Sequence, residues 1–131
     1  MGFFSKPDPI AKLKQEVEAK PKDSKLLLDL AGQLKAKGST DEAAELYMRA
    51  ARVQLELGFA PKAIALARQV TGMLPKSIDA WEFLSEQYEE TKVKEELRTA
   101  LKTLRTLYRA DGKESLAKAV EAKLDTLGPG R

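Results

Sequence analysis

The residues of this chain best suited to chemistry are charged, and they sit on two neighbouring stretches. Asp79, Glu82, Glu86, Glu89 and Glu90 recur at intervals that, at 100° per helical residue, gather their carboxylates within an arc of about 100°. Arg98, Lys102, Arg105 and Arg109 follow at spacings of four, three and four, a second stripe of opposite sign. A carboxylate acts as a general acid only in a dry or charge-perturbed site. These carboxylates fall on a face predicted to be wet, with Lys92 and Lys94 nearby, so the chemistry left to them is attraction of a cation or plain solvation. Like charges this close modestly destabilise a helix, which calls for an explanation beyond solubility.

The residue types that are missing narrow the field further. The chain has no histidine and no cysteine, which removes the commonest general base, the commonest transition-metal ligand, thiolate zinc sites and disulfides. Gly38 and Gly58 stand alone, without the Gly-Lys-Ser type cluster of a phosphate loop. No catalysis, no cofactor, no metal and no small-molecule substrate are therefore expected. A third of the residues are charged, nearly in balance at a formal +3, which is too little to argue nucleic-acid binding. No apolar run approaches the roughly 20 residues that cross a bilayer. The expectation is a soluble, cytoplasmic protein. Phe3 and Phe4 are either a small contact for a membrane or partner or side chains that fold back on the first helix, and Lys6 stands where a myristoylation signal wants Ser or Thr.

Turn residues divide the chain into segments of helix length: Pro7 and Pro9, Pro21, Gly38, Gly58 to Pro61, Pro75, a weak break at Thr91 and Lys92, Asp111-Gly112, and Gly128-Pro129-Gly130. Apolar residues recur three and four apart between them, and no period-two run of β-branched residues occurs. The spacing predicts an all-α fold of about seven helices, near 8–19, 24–37, 41–57, 60–74, 77–91, 93–109 and 113–127. Ser24, Ser39 or Thr40, and Ser77 are the expected N-caps, and Gly38 the expected left-handed stop. The buried sets include Leu27, Leu30, Ala31 and Leu34, then Ala43, Leu46, Tyr47, Ala50, Val53 and Leu57, then Ala63, Ala67 and Val70. Trp81, Leu84 and Tyr88, then Leu97, Leu101, Leu104 and Tyr108, then Leu116, Ala119, Val120 and Leu124 continue them. Short connections make neighbouring helices antiparallel. Nothing gives the tail after residue 127 a reason to be ordered.

Gly38 and Gly58 are each followed five residues later by an alanine, Ala43 and Ala63. With Leu27, Leu30, Ala31, Leu34, Tyr47 and Ala50, the first of these resembles the tetratricopeptide repeat, a helix–turn–helix unit of 34 residues. A second match runs through Trp81, Leu84, Tyr88, Leu101 and Leu104, and departs at Ser85, at Lys92 where glycine is usual, and at Leu97 where alanine is usual. The resemblance implies one domain of hairpins stacked as a right-handed solenoid: a tail at 1–7, a capping helix at 8–23, the best repeat at 24–57, a half-repeat at 58–75, a second repeat at 76–110, a capping helix at 111–127 and a tail at 128–131. Larger residues than alanine at the close approaches would force the helices apart. An exposed methyl at Ala43 or Ala63, or strands in the body, would contradict this reading.

The same resemblance implies function. Family members hold extended or helical peptides on a concave face, which makes the chain a non-catalytic adaptor for another protein. The corresponding groove positions are Leu28, Gly32 and Lys35 early in the chain and Asp79, Glu82, Phe83, Glu86, Glu89 and Glu90 later, a partly apolar, partly acidic wall suited to a basic peptide or amphipathic helix. Phe83, if exposed, is the first candidate anchor. The lysine and asparagine clamp of chaperone-binding members is not carried over, because the chain has no asparagine. Arg98, Lys102, Arg105 and Arg109 form an alternative docking stripe, or pair internally with residues such as Glu95. The second reading is a self-assembly module whose terminal helices stack end to end into homo-oligomers, and a third is membrane or nucleic-acid contact through basic residues.

Overall fold

The computed structural model describes residues 8–130, all of whose regular structure is helical: α1 (Pro9–Ala19), α2 (Ser24–Lys37), α3 (Thr40–Glu56), α4 (Ala60–Met73), α5 (Ile78–Glu90), α6 (Lys94–Ala110) and α7 (Glu114–Leu127). The readings of Phe3, Phe4 and Lys6 lie outside the described residues. Among those residues there is no strand, and no helix is long and apolar enough to cross a membrane. The fold is all-α, as the spacing predicts.

The chain divides into two compact units, one ending at Leu66 and one beginning at Ala67. In the first, α2 lies against both α1 and α3. Asp8 caps α1 through the amide of Ile10 at 3.0 Å, and Pro9 takes the first helical position, where a missing N–H costs nothing. The cap of α2 is Asp23, which accepts from the Leu26 amide at 3.1 Å, while the expected Ser24 is the first helical residue and receives the Gln54 amide on its hydroxyl. Ala31, Ala43 and Ala50 are fully buried, and the small side chains of Ala31 and Ala43 suit a close approach of α2 and α3. Leu57, expected in the core, is 61% exposed: it is the C-cap of α3, where the chain leaves the helix through Gly58 at positive φ.

In the second unit α6 lies against both α5 and α7. Leu84, Leu97, Ala100, Leu101, Leu104 and Tyr108 are buried together with Ala117 and Val120. Phe83 and Gln87 belong to the buried face of α5 as well.

Six of the helices repeat in the same order, two pairs at equal length and the third differing by one residue. α2, α3 and α4 recur 54 residues further on as α5, α6 and α7, so that Gly38 answers to Lys92 and Gly58 to Gly112. Each of these four residues has positive φ, and each is followed by an amide bonded five residues back: Ser39 to Leu34, Phe59 to Gln54, Val93 to Tyr88, Lys113 to Tyr108. This is the Schellman stop, used four times. Within these helices and stops side-chain identity at that offset is sparse, surviving at Leu30/Leu84, Gln33/Gln87, Glu42/Glu96, Gly58/Gly112, Ala63/Ala117 and Ala65/Ala119, with Pro21/Pro75 and Lys22/Lys76 in the connection before them. The recurrence is therefore carried by backbone stops and burial more than by residue type.

Candidate functional site

The acidic face of α5 meets α7 across the top of α6. Three of its predicted residues, Glu82, Glu86 and Glu89, line two adjoining open cavities of about 270 and 280 Å³ that share Leu101 and Lys123. The floor is α6, through Leu97, Leu101, Leu104 and Tyr108. The far wall is α7, through Leu116, Ala119 and Lys123. Leu116 and Ala119 were expected to be buried; both are exposed, Leu116 at 45%, because α7 turns that face into the groove and closes on α6 with Ala117 and Val120 instead.

The walls differ in charge from one end to the other. At one end Glu82 accepts the Tyr108 hydroxyl, and Glu86 stands one turn further along α5. Burial first, then that hydrogen bond and the charges of Glu82 and Glu86, push the Tyr108 phenol well above its ordinary range, so it stays protonated and holds Glu82 at the groove edge. At the other end are Lys92 and Lys94. Between them Lys123 reaches Glu89 across the opening at 3.5 Å, an exposed pair that contributes little and can be displaced.

Of the remaining predicted groove residues, Asp79 and Glu90 are exposed on α5 but line neither cavity. Phe83 is 5% exposed, which removes it as an anchor: it lies on the buried face of α5 while Glu82, one position earlier, faces the opening. Leu28, Gly32 and Lys35 belong to the first unit and stand 54 residues before Glu82, Glu86 and Glu89, so the two sets occupy equivalent positions on equivalent helices. Leu28 is half-buried, and Gly32 and Lys35 are exposed.

The basic stripe divides. Arg98 is 8% exposed, donates to the Gly128 carbonyl and stands 3.7 Å from Glu95, with its Nε lacking a hydrogen-bond partner. It therefore holds the Gly-Pro-Gly tail, for which residue types offer no reason to expect order. A Cβ on Gly130 would come within 3.1 Å of the Arg98 side chain, so the tail lies tightly against it. Arg109 pairs with Glu121 and reaches Glu114. Both arginines pair within their own unit, Arg98 buried and Arg109 at the surface, in line with the internal pairing weighed for the stripe; Lys102 is exposed and Arg105 partly so.

A third opening, of about 490 Å³, lies between the second half of α4, α5 and the start of α6. Its floor includes Trp81, expected in the core but only half-buried, whose indole Nε1 donates to the Pro75 carbonyl at 2.8 Å. That bond ties Trp81 to Pro75 in the connection that leads into α5. Among the described residues no group of three or more acidic side chains is placed to hold a metal ion.

No family model and no curated protein matches the chain. Among solved structures it is similar to one titled "Crystal structure of MamA", at 16% identity and a TM-score of 0.39, over 90% of this chain and 85% of that one. A likeness this loose carries no argument about partner or function.

Proposed function

We propose that the chain is a non-catalytic adaptor of tetratricopeptide type, and that the groove between α5 and α7 receives an amphipathic helix of another protein, basic along one edge. The observation that carries this is the pairing of an open apolar surface, with Leu116 exposed in it, and a carboxylate wall of Glu82 and Glu86. A lone exposed leucine is ordinary on a protein surface. One set in a concavity, beside buried leucines and an acidic edge, matches the helix-in-groove mode, in which apolar anchors at helical spacing give affinity and flanking charge gives specificity. The carboxylates also account for the like-charge clustering on α5, which folding alone disfavours.

The test is calorimetric titration of the full chain with a helical peptide bearing leucines at i, i+3 and i+7 and arginines along one flank. Binding is expected to weaken about tenfold or more with Leu116→Asp, and comparably when Glu82 and Glu86 are both changed to Lys. Glu90→Lys, outside the groove, should leave it unchanged. Equal binding by all four proteins would discard the groove assignment.

A further inference from the structure

The opening beside Trp81 is built differently from the groove. Its floor is aromatic and aliphatic, Trp81, Leu84 and Tyr88, and the Trp81 ring is fixed by its hydrogen bond to the Pro75 carbonyl. One wall carries Glu95 and Glu96 on the first turn of α6. The other carries Arg68, beside Thr71 and Gly72, where the absence of a side chain on Gly72 keeps the wall low. Among the described residues Glu96 and Arg68 make no ion pair, and the nearest cation to Glu95 is Arg98 at 3.7 Å. The opening thus has a surplus of carboxylate on one side, a single cation on the other and a fixed, half-exposed indole between.

We propose that this opening is a socket for an arginine side chain of a partner segment, with an acidic residue close behind it in the partner's sequence. A guanidinium is planar, weakly hydrated and stacks on an aromatic face, so it can lie on the Trp81 indole while its edge donates to Glu96. Its methylene stem covers Leu84. The acidic residue that follows meets Arg68, the one charge an isolated cation would leave opposed. A lysine fits less well, because its compact ammonium keeps its hydration and cannot stack and donate along one plane. The socket is lined by none of the groove residues, so its occupancy stands or falls apart from the proposal for the groove.

Trp81 is the only tryptophan of the chain, so its fluorescence reads this site directly. The full chain is titrated with the blocked hexapeptide acetyl-Gly-Gly-Arg-Asp-Gly-Gly-amide, with its citrulline analogue, which keeps shape and loses charge, and with its lysine analogue. The arginine peptide should change the emission saturably with a Kd in the millimolar range, on the order expected of one side-chain contact. The citrulline and lysine peptides should be weaker, the former by about tenfold, and Glu96→Gln should weaken the arginine peptide by a similar factor while Glu90→Gln does not. Equal response to arginine and citrulline, equal effects of the two glutamine variants, or no saturable change with any peptide would overturn the socket. Amide shifts confined to Trp81, Glu96 and their neighbours on binding separate local occupancy from unfolding of a variant.

Discussion

At the level of single residues the backbone decides more than the side chains. Lys92 has φ +58, the one non-glycine at positive φ among the described residues, and it occupies the same Schellman stop as Gly38, Gly58 and Gly112. A β-carbon in that region costs about 1–2 kcal/mol, partly offset in a glycine by the greater freedom of its unfolded chain. Lys92→Gly is therefore expected to stabilise the protein by about 0.5–1 kcal/mol in urea denaturation. Gly58→Ala should do the reverse by about 1 kcal/mol, even though an added Cβ there meets no atom within 4 Å, because the cost lies in φ +87 and not in a clash. If the two substitutions move the midpoint in the same direction, the shared stop is not what limits these turns. The departure at Lys92 is legible in the sequence as a missing glycine, and its conformation follows from its neighbours. The fate of Arg98 is not legible. Its partner is a backbone carbonyl at Gly128, and no pattern of residue types announces a backbone acceptor 30 positions away.

Among the helices, periodicity gives the elements almost to the residue and gives the faces less well. α2 spans 24–37 as read, and α5, α6 and α7 each begin one position later than expected. Phe83 and Leu116 show where the reading fails. A stripe of apolar residues says which side of a helix is greasy but not how far round its neighbours reach. α5 accordingly buries Phe83 beyond its stripe, and α7 leaves Leu116 of its own stripe in the open groove. Ala43 and Ala63, five residues after a glycine, are a firmer signal than Ala119, which is exposed against expectation, since a small residue at a helix contact is there for want of room. Ala43, Ala63 and Ala117 are all fully buried. Ala43→Leu is expected to destabilise by about 1–3 kcal/mol through overpacking, and Ala63→Leu and Ala117→Leu by similar amounts, as equivalent positions of the 54-residue recurrence. Ala36→Leu, on the exposed side of α2, should change little. Thermal or urea unfolding measures all four, and a tolerated leucine at Ala43 would remove the close approach on which the hairpin rests.

For the molecule as a whole, the recurrence means that the same framework has been given two different surfaces: lysine, leucine and glycine at Lys35, Leu28 and Gly32, carboxylates at Glu89, Glu82 and Glu86. That specialisation leaves a mark on stability. Burial, foremost, raises the Tyr108 phenol, with Glu82 and Glu86 adding to it; Tyr88 is raised for the same first reason, with Arg68 opposing and Glu96 reinforcing. A phenol whose folded pKa lies above its unfolded value of about 10 keeps its proton in the native state after the unfolded chain has released it. The unfolded state then binds fewer protons, so stability is complete below about pH 10 and declines as the pH climbs from there toward the folded pKa, by at most about 1.4 kcal/mol per pH unit for each such tyrosine. Urea midpoints measured from pH 8 to 11 should fall above pH 10, and Tyr108→Phe should flatten the fall by close to one tyrosine's share, since phenylalanine has no proton to lose. Lysine titration contributes equally to both proteins and cancels in the difference. A parallel decline in the two would mean that the Tyr108 hydroxyl is as free to ionise in the folded chain as in the unfolded one. The hydrogen bond that ties the floor of the groove to Glu82 would then not hold its acidic wall in place.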